Sequence, residues 1–177
     1  MQQVNGMLQL ASVESDALRF EEGAVDIIQL LNTCLGDFSG VIHERSLEVT
    51  FTRPDDTVAV CGDVRLIRQV FFNLISNAVK FAPDHGTLSL EIKREDNGKL
   101  TVSISDDGAG IPEETVRLLL EPYGQSEIFP KMATTPSGFG LPISAAVMRL
   151  LGGDLNVLCR EPKGTTASVV FPAVRVV

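Results

Sequence analysis

The sequence has 177 residues, of which 44% are hydrophobic and 21% are charged, and its formal net charge is −8. This length and composition fit a single soluble globular domain with a full hydrophobic core. The acidic balance argues against broad binding to nucleic acid or to an anionic membrane surface. No apolar run approaches the roughly 20 residues of a membrane span, and no signal-peptide pattern opens the chain.

The three cysteines, Cys34, Cys61 and Cys159, are far apart in the sequence and odd in number. They fit reduced thiols in a cytosolic setting better than a disulfide framework or a zinc site. We therefore expect a cytoplasmic domain, whether or not the full-length protein carries a membrane anchor.

The N-terminal half is predicted to alternate helices with short strands. Hydrophobic residues at helical spacing indicate an amphipathic helix within residues 1–19, and a glycine at 23 breaks it. A second helix is predicted over 25–41. Residues 47–53 alternate as a strand, and 58–60 form another short one. Asp63 is placed to cap the next helix, which ends before Pro83.

That next helix contains the most informative segment, FFNLISNAVKF at 71–81. Asn73, Asn77 and Lys80 fall on one helical stripe because they are spaced i, i+4 and i+7. A second, apolar stripe is turned from it by roughly 100°, and its members are Ile67, Phe71, Leu74 and Ala78. Amide oxygens can ligate magnesium and an ammonium can neutralise phosphate, so the segment suits a metal-bound polyphosphate. An amphipathic helix with an ordinary polar edge is the alternative.

A hairpin follows, with alternating strands at 88–92 and 100–104 and a turn at 95–98. Asp106 continues the core-facing parity of the second strand, whereas Asp107 points the other way. An inward carboxylate needs a hydrogen-bond donor, and an adenine amino group is a suitable one. Gly108 and Gly110 let the backbone bend close to a ligand, although a plain Asp-Gly turn is the alternative.

The C-terminal part contains a second glycine motif. A short helix at 113–121 precedes a long, aperiodic, proline-containing stretch at about 123–139, which is typical of a functional or mobile loop. The run 138–141, Gly-Phe-Gly-Leu, then opens a helix at about 141–151. A helix N-terminus offers free amides to phosphate, although a flexible hinge fits equally well. Strands at about 154–160 and 166–172 close the chain.

In this order and spacing, the motifs resemble the catalytic and ATP-binding domain of sensor histidine kinases, in the GHKL superfamily. The resemblance covers about residues 20–177. It implies an α/β fold, namely a two-layer α/β sandwich with a mixed β-sheet covered on one face by helices (the Bergerat-type ATP-binding fold), with an N-terminal helical stub. Residues 1–22 would be the end of the dimerisation and phosphotransfer hairpin, and residues 23–177 would be the catalytic domain.

The resemblance also implies the cofactors, ATP and Mg²⁺, and a role for each matching position. Asp106 would accept a hydrogen bond from the adenine amino group. Asn77 would ligate magnesium, Asn73 would help to hold the metal or the phosphates, and Lys80 would contact phosphate oxygens, so that Asn73 and Lys80 serve the phosphoryl transfer itself. The remaining implied nucleotide contacts are Gly108, Gly110, Gly138, Gly140, Leu141 and Thr166.

Two segments depart from the family pattern, and both lie around the expected lid. Pro136 and Ser137 stand where the family often has a further glycine pair. The stretch 120–123, Leu-Glu-Pro-Tyr, resembles the family's phenylalanine-containing box with leucine and tyrosine in place of phenylalanines. These departures keep open a non-catalytic nucleotide-binding or interaction module as an alternative function.

The implied activity needs a phosphoacceptor, and neither histidine of the chain suits it. His43 lacks the proline that follows the family's acceptor motif, and His85 lies in a predicted turn. We therefore expect the acceptor on a helical hairpin outside this chain, in the same protein or in a partner protomer. The resemblance further implies a response regulator as partner and a homodimeric full-length protein, with no nucleic acid and no membrane contact from this chain.

Two other classes within the superfamily are alternatives. The gyrase-type and chaperone-type ATPases place a glutamate general base where this chain has Asn73, and an amide cannot take a proton from water. Anti-sigma serine kinases fit less well, because residues 13–20 look like the end of a phosphotransfer hairpin.

Overall fold

The computed structural model describes residues 20–120, 140–160 and 163–177, without the side chains of 118–120. The predicted helix within residues 1–19 and the predicted loop at 123–139, which includes Gly138, lie outside the described residues.

The described residues form seven strands and five α-helices in the order β1 (Gly23–Asp26), α1 (Ile27–Asp37), α2 (Ser39–Glu44), β2 (Glu48–Thr52), β3 (Ala59–Gly62), α3 (Val64–Phe81), β4 (Thr87–Arg94), β5 (Leu100–Asp106), α4 (Glu113–Leu120), α5 (Gly140–Leu150), β6 (Asp154–Cys159) and β7 (Thr165–Phe171). A 3₁₀ helix, Ala173–Arg175, follows β7. Within these ranges, no helix combines the length and the hydropathy that crossing a membrane requires.

Five of these strands form one mixed sheet with the order β2-β4-β5-β7-β6. β2 runs parallel to β4, and the other neighbours are antiparallel. β1 and β3 pair separately as an antiparallel ribbon. The main sheet places the end of β5, with Asp106, beside the start of β7, because Asp106 is in register with Thr165.

The helices cover one face of this sheet. Side chains of β5 alternate between buried and half-buried, so that Leu100, Val102 and Ile104 face the helices. α3 packs against β5, and α5 packs against β6 and β7. The other face carries hydroxyls, which pair across strands as Ser103 with Ser168 at 2.8 Å. The predicted two-layer α/β sandwich is confirmed.

The prediction of one helix over 25–41 is wrong at its start and in its continuity. Val25 lies in β1, paired with Val60, and α1 begins only after Asp26, whose carboxylate accepts the N–H of Gln29 at 2.9 Å. The helix is interrupted at Phe38, which has φ −105° and ψ 2°. Phe38 packs its ring 4.9 Å from that of Phe72 on α3. Tertiary pairing and packing therefore outweigh the helical periodicity here.

Candidate nucleotide site

α3 is fixed at its N-terminus by Asp63. The carboxylate is fully buried and accepts the backbone N–H of Arg65 at 2.9 Å and that of Glu21 at 3.0 Å. The guanidinium of Arg65 donates to the same carboxylate at 2.7 Å and, as the largest cause, holds the pKa of Asp63 well below its usual range. The predicted cap is confirmed, and it also ties the chain before β1 to the start of α3.

The C-terminus of α3 is held by Arg45, which lies between α2 and β2. Its guanidinium donates to the backbone carbonyl oxygens of Val79 and Ala82, and to the carboxylate of Asp84 at 2.8 Å. The last carbonyls of a helix lack partners within the helix, and a cation there also complements the helix dipole. The Asn-bearing helix is thus anchored at both ends by side chains from outside it.

Between these ends, the two predicted stripes are present. The apolar stripe is buried, with exposed fractions of 0% for Ile67 and Phe71 and of 2% and 3% for Leu74 and Ala78. On the polar stripe, Asn73 and Asn77 are half-buried.

Lys80, the third polar position, is exposed, and its ammonium lies 5.1 Å from the ring centroid of Phe81. The helix therefore offers two amides to the interior and one cation at the rim.

A narrow apolar cavity lies between α3, α5 and the sheet. Its lining side chains come from α3, from β5 and the following loop, from the start of α5 and from β6 and β7, and they are Leu74, Asn77, Ala78, Phe81, Ile104, Asp106, Ile111, Leu141, Val157, Thr165 and Ala167. Asp106 is the single ionisable side chain in this lining. The cavity volume is about 20 Å³, which is room for about one water molecule, so a larger ligand would enter only if the surrounding side chains moved apart.

Asp106 is 5% exposed, so its predicted inward orientation is confirmed. Its carboxylate accepts the backbone N–H of Gly108 at 2.9 Å. Burial raises the pKa of Asp106, and the backbone hydrogen bonds from Gly108 and Thr165 oppose that rise only in part. A buried carboxyl with spare acceptor capacity is suited to read an amino group of a ligand.

Asp107 also follows the predicted parity. Its Oδ1 accepts the backbone N–H of Thr87 at 3.0 Å, which closes the end of the β4–β5 hairpin. The sequence did not reveal this role, because the acceptor function depends on a residue 20 positions earlier.

Glycines just after β5 and just before β7 allow distant parts of the chain to approach one another closely. A Cβ on Gly108 would lie 2.3 Å from the carbonyl oxygen of Phe81, and one on Gly164 would lie 2.2 Å from that of Asp106. Gly110 has φ +82°, and a Cβ there would lie 2.7 Å from Cys159 Sγ. At 108 and 110, where the sequence predicted that the backbone bends close to a ligand, the nearest protein groups are the Phe81 carbonyl oxygen and Cys159 Sγ.

α5 begins against α3 through Asn73. The Nδ2 atom of Asn73 lies 3.3 Å from the carbonyl oxygen of Gly140 and 3.3 Å from the hydroxyl of Ser144. Gly140 therefore lies beside Asn73, and Leu141 lines the cavity, while the nucleotide contacts implied for both stay predictions. Ser144, which is fully buried, was not singled out from the sequence, because a lone serine in an apolar helix gives no motif.

The side chain of Thr166 faces away from the cavity, and its implied position near the adenine stays a prediction. Its hydroxyl pairs with that of Ser105 at 2.8 Å on the open face of the sheet. Its neighbours Thr165 and Ala167 line the cavity, since side chains alternate along β7. This geometry gives no support to a side-chain contact between Thr166 and adenine. Thr165 lies on the same face of β7 as the buried Val169, so the alternation along the strand could have indicated Thr165 as the residue that faces the cavity.

The two histidines lie outside the cavity lining. His43 is in the last turn of α2 and borders a groove between α1, α2 and β2. His85 is in the turn after α3 with φ 60°, where its backbone N–H donates to the carbonyl oxygen of Arg45.

Comparison with protein families gives a match over residues 62–175 to the family described as histidine kinase-, DNA gyrase B- and HSP90-like ATPases. The chain belongs to this family. The match spans the part of the chain from β3 to the 3₁₀ helix, which includes α3, the cavity and Asp106. The GHKL resemblance drawn from the motifs is confirmed.

The relatives within this ATPase family include sensor histidine kinases. The chain is 29% identical over 171 residues to the sensor histidine kinase WalK of Bacillus subtilis, covering 96% of the chain and 28% of WalK. It is 28% identical over 170 residues to the sensor histidine kinase RcsC of Escherichia coli, covering 96% of the chain and 18% of RcsC. The chain thus spans less than a third of either relative.

Solved structures of histidine kinases share the fold. Full-length ShkA in complex with AMPPNP superposes with a TM-score of 0.79 at 26% identity, over 96% of this chain and 35% of ShkA. The mycobacterial sensor histidine kinase MprB gives a TM-score of 0.70 at 27% identity, over 86% of this chain and 97% of that structure. The fold is that of histidine kinase catalytic domains.

Proposed function

We propose that this chain is the ATP-binding kinase domain of a two-component sensor histidine kinase, delivering the γ-phosphoryl group of Mg-ATP to a histidine on a helical hairpin outside the chain. The observation that carries the proposal is the buried Asp106 carboxylate in an apolar cavity that Asn77 of α3 also lines. The family match, the sensor kinase relatives and the AMPPNP complex of ShkA support it.

Adenine would enter at this cavity, which has a volume of about 20 Å³ and would have to widen to admit it, and its amino group would donate to Asp106. Ile104, Ile111 and Ala167 would contact the ring faces, since they supply the apolar lining around the carboxylate. Thr165, rather than Thr166, would contribute the polar contact from β7.

The phosphates would lie along the polar stripe of α3, towards the start of α5. Asn77 and Asn73 would hold Mg²⁺ through their amide oxygens, which are suitable ligands for a hard cation. The amide nitrogen of Asn73 faces the carbonyl of Gly140. The amide oxygen of Asn73 therefore points away from Gly140, which fits a role as a metal ligand. The metal would neutralise developing phosphate charge.

The exposed ammonium of Lys80 would contact phosphate oxygens at the rim of the site. Gly138, Gly140 and Leu141 would bring the lid and the first turn of α5 to the phosphates. Of these, Leu141 also lines the cavity, and Gly138 lies outside the described residues.

Positioning and electrostatics would supply most of the catalysis, because phosphoryl transfer requires little covalent chemistry from the protein. The hydrolytic alternative requires a general base at position 73. An amide whose nitrogen donates to the Gly140 carbonyl does not provide one. The acceptor histidine, the response regulator and the homodimer belong to the proposal for the full-length protein.

The test uses the full chain in two steps. Calorimetry should show ATP binding that strengthens with Mg²⁺. Radiolabelled ATP should then leave the chain alone unlabelled and release little phosphate, and labelling should begin when the cognate phosphotransfer hairpin is added. Asn77→Ala should abolish that transfer, whereas Asp107→Asn should retain it, since an amide oxygen can still accept from Thr87.

Three results would count against the proposal. Phosphate on His43 or His85 of the isolated chain would overturn the assignment of the acceptor. Rapid phosphate release without the hairpin would favour an ATPase. Nucleotide binding with no transfer to any hairpin would favour a non-catalytic binding module.

A further inference from the structure

Ser144 is the one polar side chain among the buried residues of α5. The buried side chains of α5 are Leu141, Pro142, Ile143, Ser144, Ala145, Val147 and Met148. Ser144 is 0% exposed, and a buried hydroxyl costs free energy unless it has a hydrogen-bond partner. Alanine would fill nearly the same volume without that cost, so the hydroxyl calls for a specific explanation.

The explanation lies in the contact with Asn73. Ser144 follows Gly140 by four residues, so the Gly140 carbonyl and the Ser144 hydroxyl lie on one face of α5. Both oxygens lie 3.3 Å from Asn73 Nδ2. The two N–H donors of one carboxamide therefore have two acceptors on the same helix.

This arrangement determines which way the carboxamide faces. A backbone carbonyl can only accept, so the nitrogen of the Asn73 amide must face Gly140, and its oxygen must lie on the opposite side of Cγ. Without such a partner, the two orientations of an amide would differ little in energy.

We infer that Ser144 is a positioning residue that, together with the Gly140 carbonyl, holds the Asn73 oxygen in the orientation needed to ligate the nucleotide-bound metal. The inference rests on the proposed function. It couples the first turn of α5 to a proposed metal ligand on α3. A shift of that turn would release Asn73 to rotate, and the affinity for metal-bound nucleotide would fall.

The first test measures ATP affinity at increasing Mg²⁺ concentration. Ser144→Ala should weaken Mg-ATP binding by roughly three- to ten-fold, the range expected for one neutral hydrogen bond, and should leave metal-free binding unchanged. Ser103→Ala is the matched control, because it removes a paired hydroxyl on the open face of the sheet. Ser144→Cys should lie between wild type and Ser144→Ala, since a thiol is a weaker partner.

A double-mutant cycle separates positioning from general packing. If Ser144 acts through Asn73, then Ser144→Ala should have no further effect on Mg²⁺ dependence in an Asn73→Ala background. Additive losses would show that Ser144 acts by another route and would overturn the inference.

A second measurement needs no nucleotide. The side-chain amide resonances of Asn73 should shift and exchange faster in Ser144→Ala but not in Ser103→Ala. Unchanged resonances would overturn the inference whatever the nucleotide data show.

If the wild type binds Mg-ATP and Ser144→Ala matches it at every Mg²⁺ concentration, the inference fails while the proposed function stands. If the wild type binds no nucleotide, the proposed function fails and the metal role of Ser144 fails with it.

Discussion

Asp107 accepts the backbone N–H of Thr87 at 3.0 Å, immediately next to an aspartate whose carboxylate faces the cavity. Two adjacent carboxylates thus have separate tasks at the end of β5. Asp107 closes the hairpin with β4, and Asp106 lines the cavity, where we propose that it binds adenine. Because the two residues differ in surroundings rather than in chemistry, they form a matched pair for mutation.

Asp106→Asn should weaken ATP binding by about 2 kcal/mol or more, because the new amide places a donor against the adenine amino group. Asp107→Asn should be nearly neutral, since its oxygen can still accept from Thr87. Calorimetry on both variants provides the measurement. Unchanged ATP affinity in Asp106→Asn would remove Asp106 from the nucleotide site.

Asp106→Asn should also raise the free energy of unfolding at neutral pH. Burial raises the pKa of Asp106 in the folded chain, so the ionised form disfavours folding. The protonated carboxyl of Asp106 contributes to stability at pH values below its unfolded pKa of about 4. This contribution is lost as pH rises through the raised pKa of the folded state. Urea unfolding of wild type and Asp106→Asn should therefore diverge as pH rises through the acid range, with the variant more stable at neutral pH. Equal curves at every pH would refute the proposed cost of burial.

Two aspartates cap helices, and they should differ in importance. Asp63→Ala should lower the free energy of unfolding by about 2 kcal/mol, since it removes a buried cap of α3 and the acceptor for Glu21. Asp26→Ala, at the more exposed start of α1, should cost about 1 kcal/mol or less. Urea unfolding of Asp63→Ala, Asp26→Ala and the wild type measures the two losses of unfolding free energy.

The pH dependence of the Asp63 contribution has the opposite sign to that of Asp106. The hydrogen bond from Arg65 lowers the pKa of Asp63, so its stabilisation is present above about pH 4 and is lost as pH falls below that value. The gap between wild type and Asp63→Ala should therefore narrow in acid. A constant gap would contradict the ionic character of this cap.

Gly108→Ala should destabilise the fold by about 1–3 kcal/mol, because its Cβ would lie 2.3 Å from the Phe81 backbone oxygen and the backbone cannot yield cheaply. Gly140→Ala is the comparison at the other glycine motif. There the nearest atoms belong to the Asn73 side chain at 3.5 Å, so the fold should tolerate it. Thermal unfolding distinguishes the two, and equal losses would contradict the close approach described for Gly108.

Periodicity predicted the elements that bury one face in the core. The α3 stripe with Ile67 and Phe71, and the inward Asp106, are as predicted because burial follows the period of a helix or strand. Other features depend on distant partners and carry no local signal. The strand at Val25 exists because it pairs with Val60. The hydrogen-bond partner that Asn73 finds in Ser144 lies 71 residues away.

Arg45 illustrates the same limit and provides the final prediction. It caps the C-terminus of α3 from 34 and 37 residues away, through the carbonyl oxygens of Val79 and Ala82. Arg45→Met should lower the free energy of unfolding by about 1–2 kcal/mol, since it removes charged donors from helix-end carbonyls while keeping an unbranched apolar stem. Amide exchange should also quicken in the last turn of α3.

Arg68→Met is the matched control for Arg45→Met. Arg68 pairs with Asp37 at 2.7 Å, but both side chains are exposed, so its loss should change stability by less than about 0.5 kcal/mol. Guanidinium chloride would screen these charges, so urea is the appropriate denaturant. If both variants lost the same stability, the contribution of Arg45 would reduce to that of a surface charge. A selective loss in Arg45→Met would instead show that the segment between α2 and β2 holds the helix end that carries Lys80.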